Sequence, residues 1–165
     1  QARELVEDGG LEVGIMSGGA TGTYNITGVC PHITEVQAGS YAIMDWWYRN
    51  LEGMDTFGIA LGVLATVISR PTSARAITDA GLKVITQDQG LPVAKEMPGI
   101  RLVELHEEHG LLELEGEARG LRVGDKIEIY PTHCCTTINL HDCYYCVRGG
   151  RVEAVWEIAA RGKSR

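Results

Sequence analysis

The chain has 165 residues and a formal net charge of −7, a length for one compact domain or one and a half. Hydrophobic residues make up 44% and charged residues 22%, the balance of an ordinary globular protein. The acidic balance argues against a nucleic-acid footprint, and no apolar run of about 18 residues is present to span a membrane.

QARELVEDGG lacks an initiator Met and reads as the last turns of a helix that stops at Gly9-Gly10. A chain that begins inside a helix is expected to be one piece of a larger protein. LEVGIMS then reads as a short strand running into the small-residue loop SGGATGTY, Ser17 to Tyr24. ITEVQ reads as a second strand running into AGSY. Strand followed by small-residue loop, twice, is how parallel α/β folds present ligand-binding loops at their strand ends.

Glycines let a backbone approach an anion, and the hydroxyls of Ser17, Thr21 and Thr23 can donate to it. The loop lacks the lysine of a nucleotide-triphosphate loop. Gly39-Ser40-Tyr41 repeats the chemistry after the next strand. Together the two loops fit a barrel phosphate site; a plain flexible turn is the competing reading of each.

From about residue 56 onward the pattern is mainly β. FGIALGVLATVISRP, RAITDA, LKVIT, IRLVELH, GLLELEG, KIEIYP, TTINL, CYYCVRG and RVEAVWEIA are strand candidates separated by turn signals. Arg122 to Asp125 is a turn before a strand, and RGGR, Arg148 to Arg151, is a hairpin turn. Short strands at this spacing suggest a β-barrel or sandwich.

Cys30, Cys134, Cys135, Cys143 and Cys146 are an odd set, which favours free thiols in a reducing compartment, by default the cytoplasm, over a disulfide framework. PTHCCTTINL, Pro131 to Leu140, reads as an extended strand on which His133 and Cys135 share a face and Cys134 points away. Imidazole and thiolate are a zinc-type ligand pair. With two ligands the shell would be open, as a catalytic metal requires. Two alternatives stay open: a closed structural site that also takes Cys143 and Cys146, and thiols that are simply small buried apolar groups. HEEHG reads as a solvated turn, with a site-rim role for Glu108 and His109 as the alternative. Asp79, Lys83 and Asp88 alternate along a strand pair in TDAGLKVITQD, and Lys83 reads as solvated rather than as a Schiff-base lysine. Trp46, Trp47 and Tyr48 read as packing residues.

SGGATGTY, TEVQAGSYAIMD, TDAGLKVITQD, EEHGLLEL, PTHCCTTINL and WEIAARGKS follow one another over almost the whole chain. In that order they resemble the D-threonine aldolase / D-serine dehydratase family of fold-type III pyridoxal-phosphate enzymes, relatives of alanine racemase. The resemblance implies an α+β chain: residues 1–55 as the last two βα units of a cofactor-binding TIM-type (β/α)8 barrel, and 56–165 as a mainly antiparallel β-barrel or sandwich domain with the metal site. A full barrel needs about 250 residues, so the family's Schiff-base lysine is expected to lie outside this chain and is not assigned to Lys83, Lys95, Lys126 or Lys163.

The resemblance further implies pyridoxal 5'-phosphate held by Ser17, Gly18, Gly19, Thr21, Gly39, Ser40 and Tyr41. It implies a divalent metal, zinc favoured over manganese, on His133 and Cys135. The activity implied is that of a lyase on β-hydroxy-D-amino acids, with no nucleic-acid or membrane partner and a homodimeric state. Relatives with His-x-Cys look like dehydratases and those with His-x-Asp like aldolases, so His133-Cys134-Cys135 leans towards dehydration. The alternative is a non-catalytic fragment or a β-domain with a structural zinc.

Overall fold

Helix α1 (Ala2–Asp8) ends where expected. Gly10 takes φ +83, and the amides of Gly10 and Leu11 reach back to the carbonyls of Glu7 and Val6 at 2.9 and 3.2 Å. That is a Schellman stop, which needs a left-handed residue and so favours glycine. The computed structural model of the chain describes residues 1–163; Ser164, the last residue of the WEIAARGKS motif, lies outside them.

The two expected N-terminal strands form a parallel pair, but each keeps only two residues: β1 (Ser17–Gly18) and β2 (Glu35–Val36). Neither has a further strand beside it among the described residues, so the ladder gains few hydrogen bonds. Each strand is followed by short helical turns. After β1 come a 3-10 turn at Thr21–Thr23 and helix α2 (Tyr24–Thr27). After β2 come a 3-10 turn at Ser40–Ala42 and helix α3 (Trp46–Arg49), whose N-cap is Asp45.

The rest is a curled antiparallel sheet built from β3 (Val63–Thr72), β4 (Arg75–Thr78), β5 (Val93–Ala94), β6 (Ile100–Leu105), β7 (Gly110–Leu114) and β8 (Lys126–Tyr130). Its strand order is β5-β8-β3-β4-β7-β6. The end strands β5 and β6 approach each other, so the sheet is a nearly closed barrel, which protects strand edges. Along β7 burial alternates residue by residue, the signature of one face on a core. Val67, Leu102, Leu112, Leu114, Ile127 and Ile129 fill that core. Full burial of a side chain of this size contributes about 1.5–3 kcal/mol.

The LKVIT strand does not form. Val84 and Ile85 turn back onto the carbonyl of Gly81 at 3.0 and 3.1 Å, and Leu82 and Lys83 bond to His106 and Glu107 at 2.8 and 3.0 Å. Asp79, Lys83 and Asp88 therefore sit in a loop after β4, not on a strand pair. Gly81 is pressed so closely on the 106–109 hairpin that a Cβ would lie 2.4 Å from the His106 carbonyl oxygen.

Helix α4 (Cys134–Ile138) follows β8, and the chain ends in a hairpin of β9 (Cys143–Arg148) and β10 (Arg151–Glu157). Its turn has Gly149 and Gly150 at φ +55 and +75, the double left-handed geometry of a type I′ turn. No described helix is long and apolar enough to cross a membrane.

Candidate active site

The segment read as a strand, PTHCCTTINL, folds differently: His133 is the extended N-cap of α4, and Cys134 to Ile138 are helical. Thr and Ile favour strands, but three contacts from distant segments override that preference. The Asp45 carboxylate accepts the Cys134 N–H at 2.9 Å. The Thr86 hydroxyl meets those of Thr136 and Thr137 at 2.8 and 3.1 Å. The Pro131 carbonyl accepts the Trp46 N–H at 2.9 Å. Trp46 also stacks on Tyr130, 6.3 Å between ring centres. Helical geometry therefore replaces strand periodicity as what sets the relation of His133 to Cys135. Cys134 is buried and Cys135 exposed, their sulfurs 3.9 Å apart.

His133 has a partner that local sequence did not reveal. Its Nδ1 lies 2.5 Å from Oδ2 of Asp88. The other oxygen of Asp88 accepts the Thr136 hydroxyl at 3.0 Å. Burial pushes the Asp88 carboxyl up, but hydrogen bonds from His133, Thr86 and Thr136 outweigh it and hold the group below its ordinary range. With Nδ1 engaged, Nε2 is the free ring nitrogen, the arrangement usual in metal-ligating histidines. The donor set of imidazole and thiol suits zinc. Among the described residues no group of three or more His, Cys, Asp and Glu could hold a metal ion. Among the described residues Cys143 and Cys146 therefore do not join His133 and Cys135 in a closed group of ligands.

The two small-residue loops come together. Thr21 is buried, and its hydroxyl accepts the Tyr41 N–H at 3.1 Å, which ties SGGATGTY to AGSY. Among the described residues the amides of Gly19, Gly39 and Ser40 donate to no other group, and a Cβ on Gly39 would meet open space. Gly19 takes φ +75. Free amides beside open space fit a phosphate. Gly18 is on β1, and Ser17 beside it donates its hydroxyl to Glu35 at 2.9 Å. The Tyr41 ring leans on Phe57.

The loops also meet the segment that carries His133. Burial pushes the Cys134 thiol up to about 12, and the neighbouring Ser40 side chain opposes that rise. One position of AGSY therefore touches the residue between His133 and Cys135.

Within HEEHG, residues 106–109 form the exposed hairpin loop between β6 and β7, and Gly110 opens β7. Glu108 pairs with the exposed Lys83, and that hydrogen bond raises the lysine pKa, as for a solvated ion pair. His109 closes the loop through its carbonyl, which accepts the His106 N–H at 2.8 Å.

The family described as "Putative serine dehydratase domain" matches residues 60–147, a stretch that carries both Asp88 and the His133 segment. The chain belongs to this family. It is 40% identical over 164 residues to a D-threonine aldolase of Arthrobacter sp, covering 98% of this chain and 43% of that protein. The crystal structure of D-threonine aldolase from Filomicrobium marinum superposes with a TM-score of 0.90 at 38% identity, over 97% of this chain and 44% of that one. D-threo-3-hydroxyaspartate dehydratase from Delftia sp. HT23 superposes with a TM-score of 0.80 at 30% identity, over 94% of this chain and 47% of that one. Solved variants of that dehydratase include a His→Ala and a Cys→Ala two positions apart, the latter in a metal-free form. The chain spans less than half the length of each of these relatives.

Proposed function

We propose that the protein is a pyridoxal-phosphate- and metal-dependent lyase acting on β-hydroxy-D-amino acids, with dehydration as its reaction. In this reading residues 1–55 supply phosphate loops from the end of a cofactor barrel, and residues 56–165 supply the metal-bearing β-domain. The observation that carries it is His133, gripped at Nδ1 by Asp88 and followed at the second position by Cys135. The dehydratase variants alter a His and a Cys at the same spacing.

The cofactor, when bound, supplies an electron sink for the amino acid's α-carbon. The metal supplies Lewis acidity towards the β-hydroxyl. The chain's own residues do the holding. The free amides of Gly39 and Ser40, with Gly18, Gly19, Ser17, Thr21 and Tyr41 around them, bind the phosphate. His133 through Nε2 and Cys135 through its sulfur hold the metal, and the softness of the thiolate favours zinc over manganese. Asp45, whose carboxylate accepts the Cys134 N–H, keeps the metal segment in register with the phosphate loop.

A second reading, retro-aldol cleavage as in D-threonine aldolase, is favoured by the 40% identity to the Arthrobacter enzyme. Products separate the two. Full-length protein supplied with pyridoxal phosphate and zinc is incubated with D-serine, D-threonine and 3-hydroxy-D-aspartate. A 2-oxo acid with ammonia is the expected outcome. Glycine with an aldehyde would move the assignment to the aldolase, and no turnover of any of the three would overturn the lyase reading.

A further inference from the structure

We propose that Asp88 is the positioning residue of His133. It fixes the imidazole as the Nδ1–H tautomer and turns Nε2 out as the lone pair offered to a divalent transition metal. The inference rests on the metal reading of His133 and Cys135 and goes beyond it by assigning the residue that makes His133 competent.

The geometry is over-determined. One carboxylate oxygen of Asp88 takes the His133 ring at 2.5 Å, and the other takes the Thr136 hydroxyl at 3.0 Å. His133 and Thr136 are the N-cap and third residue of α4, so the carboxylate spans the first turn of the helix and cannot swing without breaking both bonds. Asp88 is itself anchored. The Thr136 hydroxyl is shared with Thr86 at 2.8 Å, and the Thr132 hydroxyl donates to the Gly90 carbonyl at 2.7 Å. The Asp88–Gly90 loop is thereby tied to residues 132, 133 and 136 together. An anionic acceptor on Nδ1–H also makes Nε2 more basic and a better ligand, an effect that supporting carboxylates exert at roughly 10- to 100-fold in metal affinity.

A purely structural Asp88 would hold α4 in place and leave ring chemistry alone, so the test reads the ring. The protein is labelled with 15N-histidine, and the His133 signal is assigned by its loss in His133→Gln. In the metal-free wild type His133 should be the Nδ1–H tautomer. Asp88→Ala should shift it towards Nε2–H, and Asp88→Asn, whose amide oxygen can still accept, should keep it. Zinc affinity, measured by competition with a chromophoric chelator, should fall about 10- to 100-fold in Asp88→Ala and by a smaller factor in Asp88→Asn. If Asp88→Ala does not fold, the neutral, isosteric Asp88→Asn carries the affinity test.

A tautomer unaffected by Asp88→Ala would overturn the proposal. So would unchanged zinc affinity in the Asp88 variants when His133→Ala has lost the metal. A wild type that binds no zinc, or a His133→Ala that binds it as well as wild type, would instead overturn the metal reading, and the proposal with it.

Discussion

The buried carboxylate of Asp45 accepts the backbone N–H of Cys134, 89 residues further along the chain, at 2.9 Å. Its other oxygen accepts the Tyr48 N–H at 2.9 Å and caps α3. A single side chain thus pins the helix after the second small-residue loop to the helix capped by His133. Asp45→Ala leaves two amide donors without their acceptor in the interior. Each orphaned donor costs about 1–3 kcal/mol, so for two of them urea unfolding should show a loss of about 2–6 kcal/mol. Asp45→Asn retains one acceptor and should lose less.

Cys134 and Cys135 are neighbours with opposite environments. Burial holds Cys134 as a neutral thiol, pushed up to about 12, while Cys135 and Cys30 are exposed. Alkylation at mildly alkaline pH followed by peptide mass spectrometry should mark Cys30 and Cys135 and spare Cys134. Zinc should then protect Cys135 and leave Cys30 reactive. Protection of neither, or of both equally, would count against Cys135 as a ligand.

Gly81 packs where a side chain cannot go. An added Cβ would fall 2.4 Å from both the His106 oxygen and the His109 nitrogen, and backbone atoms of a β-hairpin yield little. Overpacking of this kind costs about 1–3 kcal/mol, so Gly81→Ala should lower the melting temperature by several degrees, with zinc content per folded molecule unchanged.

What could be read from the residues alone follows from how local each signal is. The Gly149-Gly150 turn was legible because a double left-handed turn needs glycine, and the β7 strand because period-2 burial is written in GLLEL. Residue type alone makes His133 and Cys135 candidate ligands, but the helical backbone that carries them was not legible. CCTTI has strand-like propensity, and its helix exists because Asp45 and Thr86 reach it from afar. Asp88 gave no local sign at all: its partner is 45 residues away, and within TDAGLKVITQD it looks like any loop carboxylate. Asp45 had a faint one, an Asp directly before the helical WWYR, the position of an N-cap.

The Asp88 carboxyl is held below its ordinary 3.8 because hydrogen bonds from His133, Thr86 and Thr136 exceed the burial that opposes them. A depressed folded pKa favours the ionised native state. The contribution is therefore complete above the unfolded value and fades as pH falls through the folded one. The stability difference between wild type and Asp88→Asn should shrink as pH falls below about 3.8. Chemical denaturation in acidic buffers measures it; a difference that grows on acidification would contradict the assignment.

The proposed function stands on a divalent metal held by His133 and Cys135. Anomalous diffraction at the zinc edge, from crystals of zinc-loaded protein, tests it directly. One peak is expected about 2.0–2.1 Å from His133 Nε2 and about 2.3 Å from the Cys135 sulfur. A zinc peak elsewhere, or none near these two atoms, would contradict it.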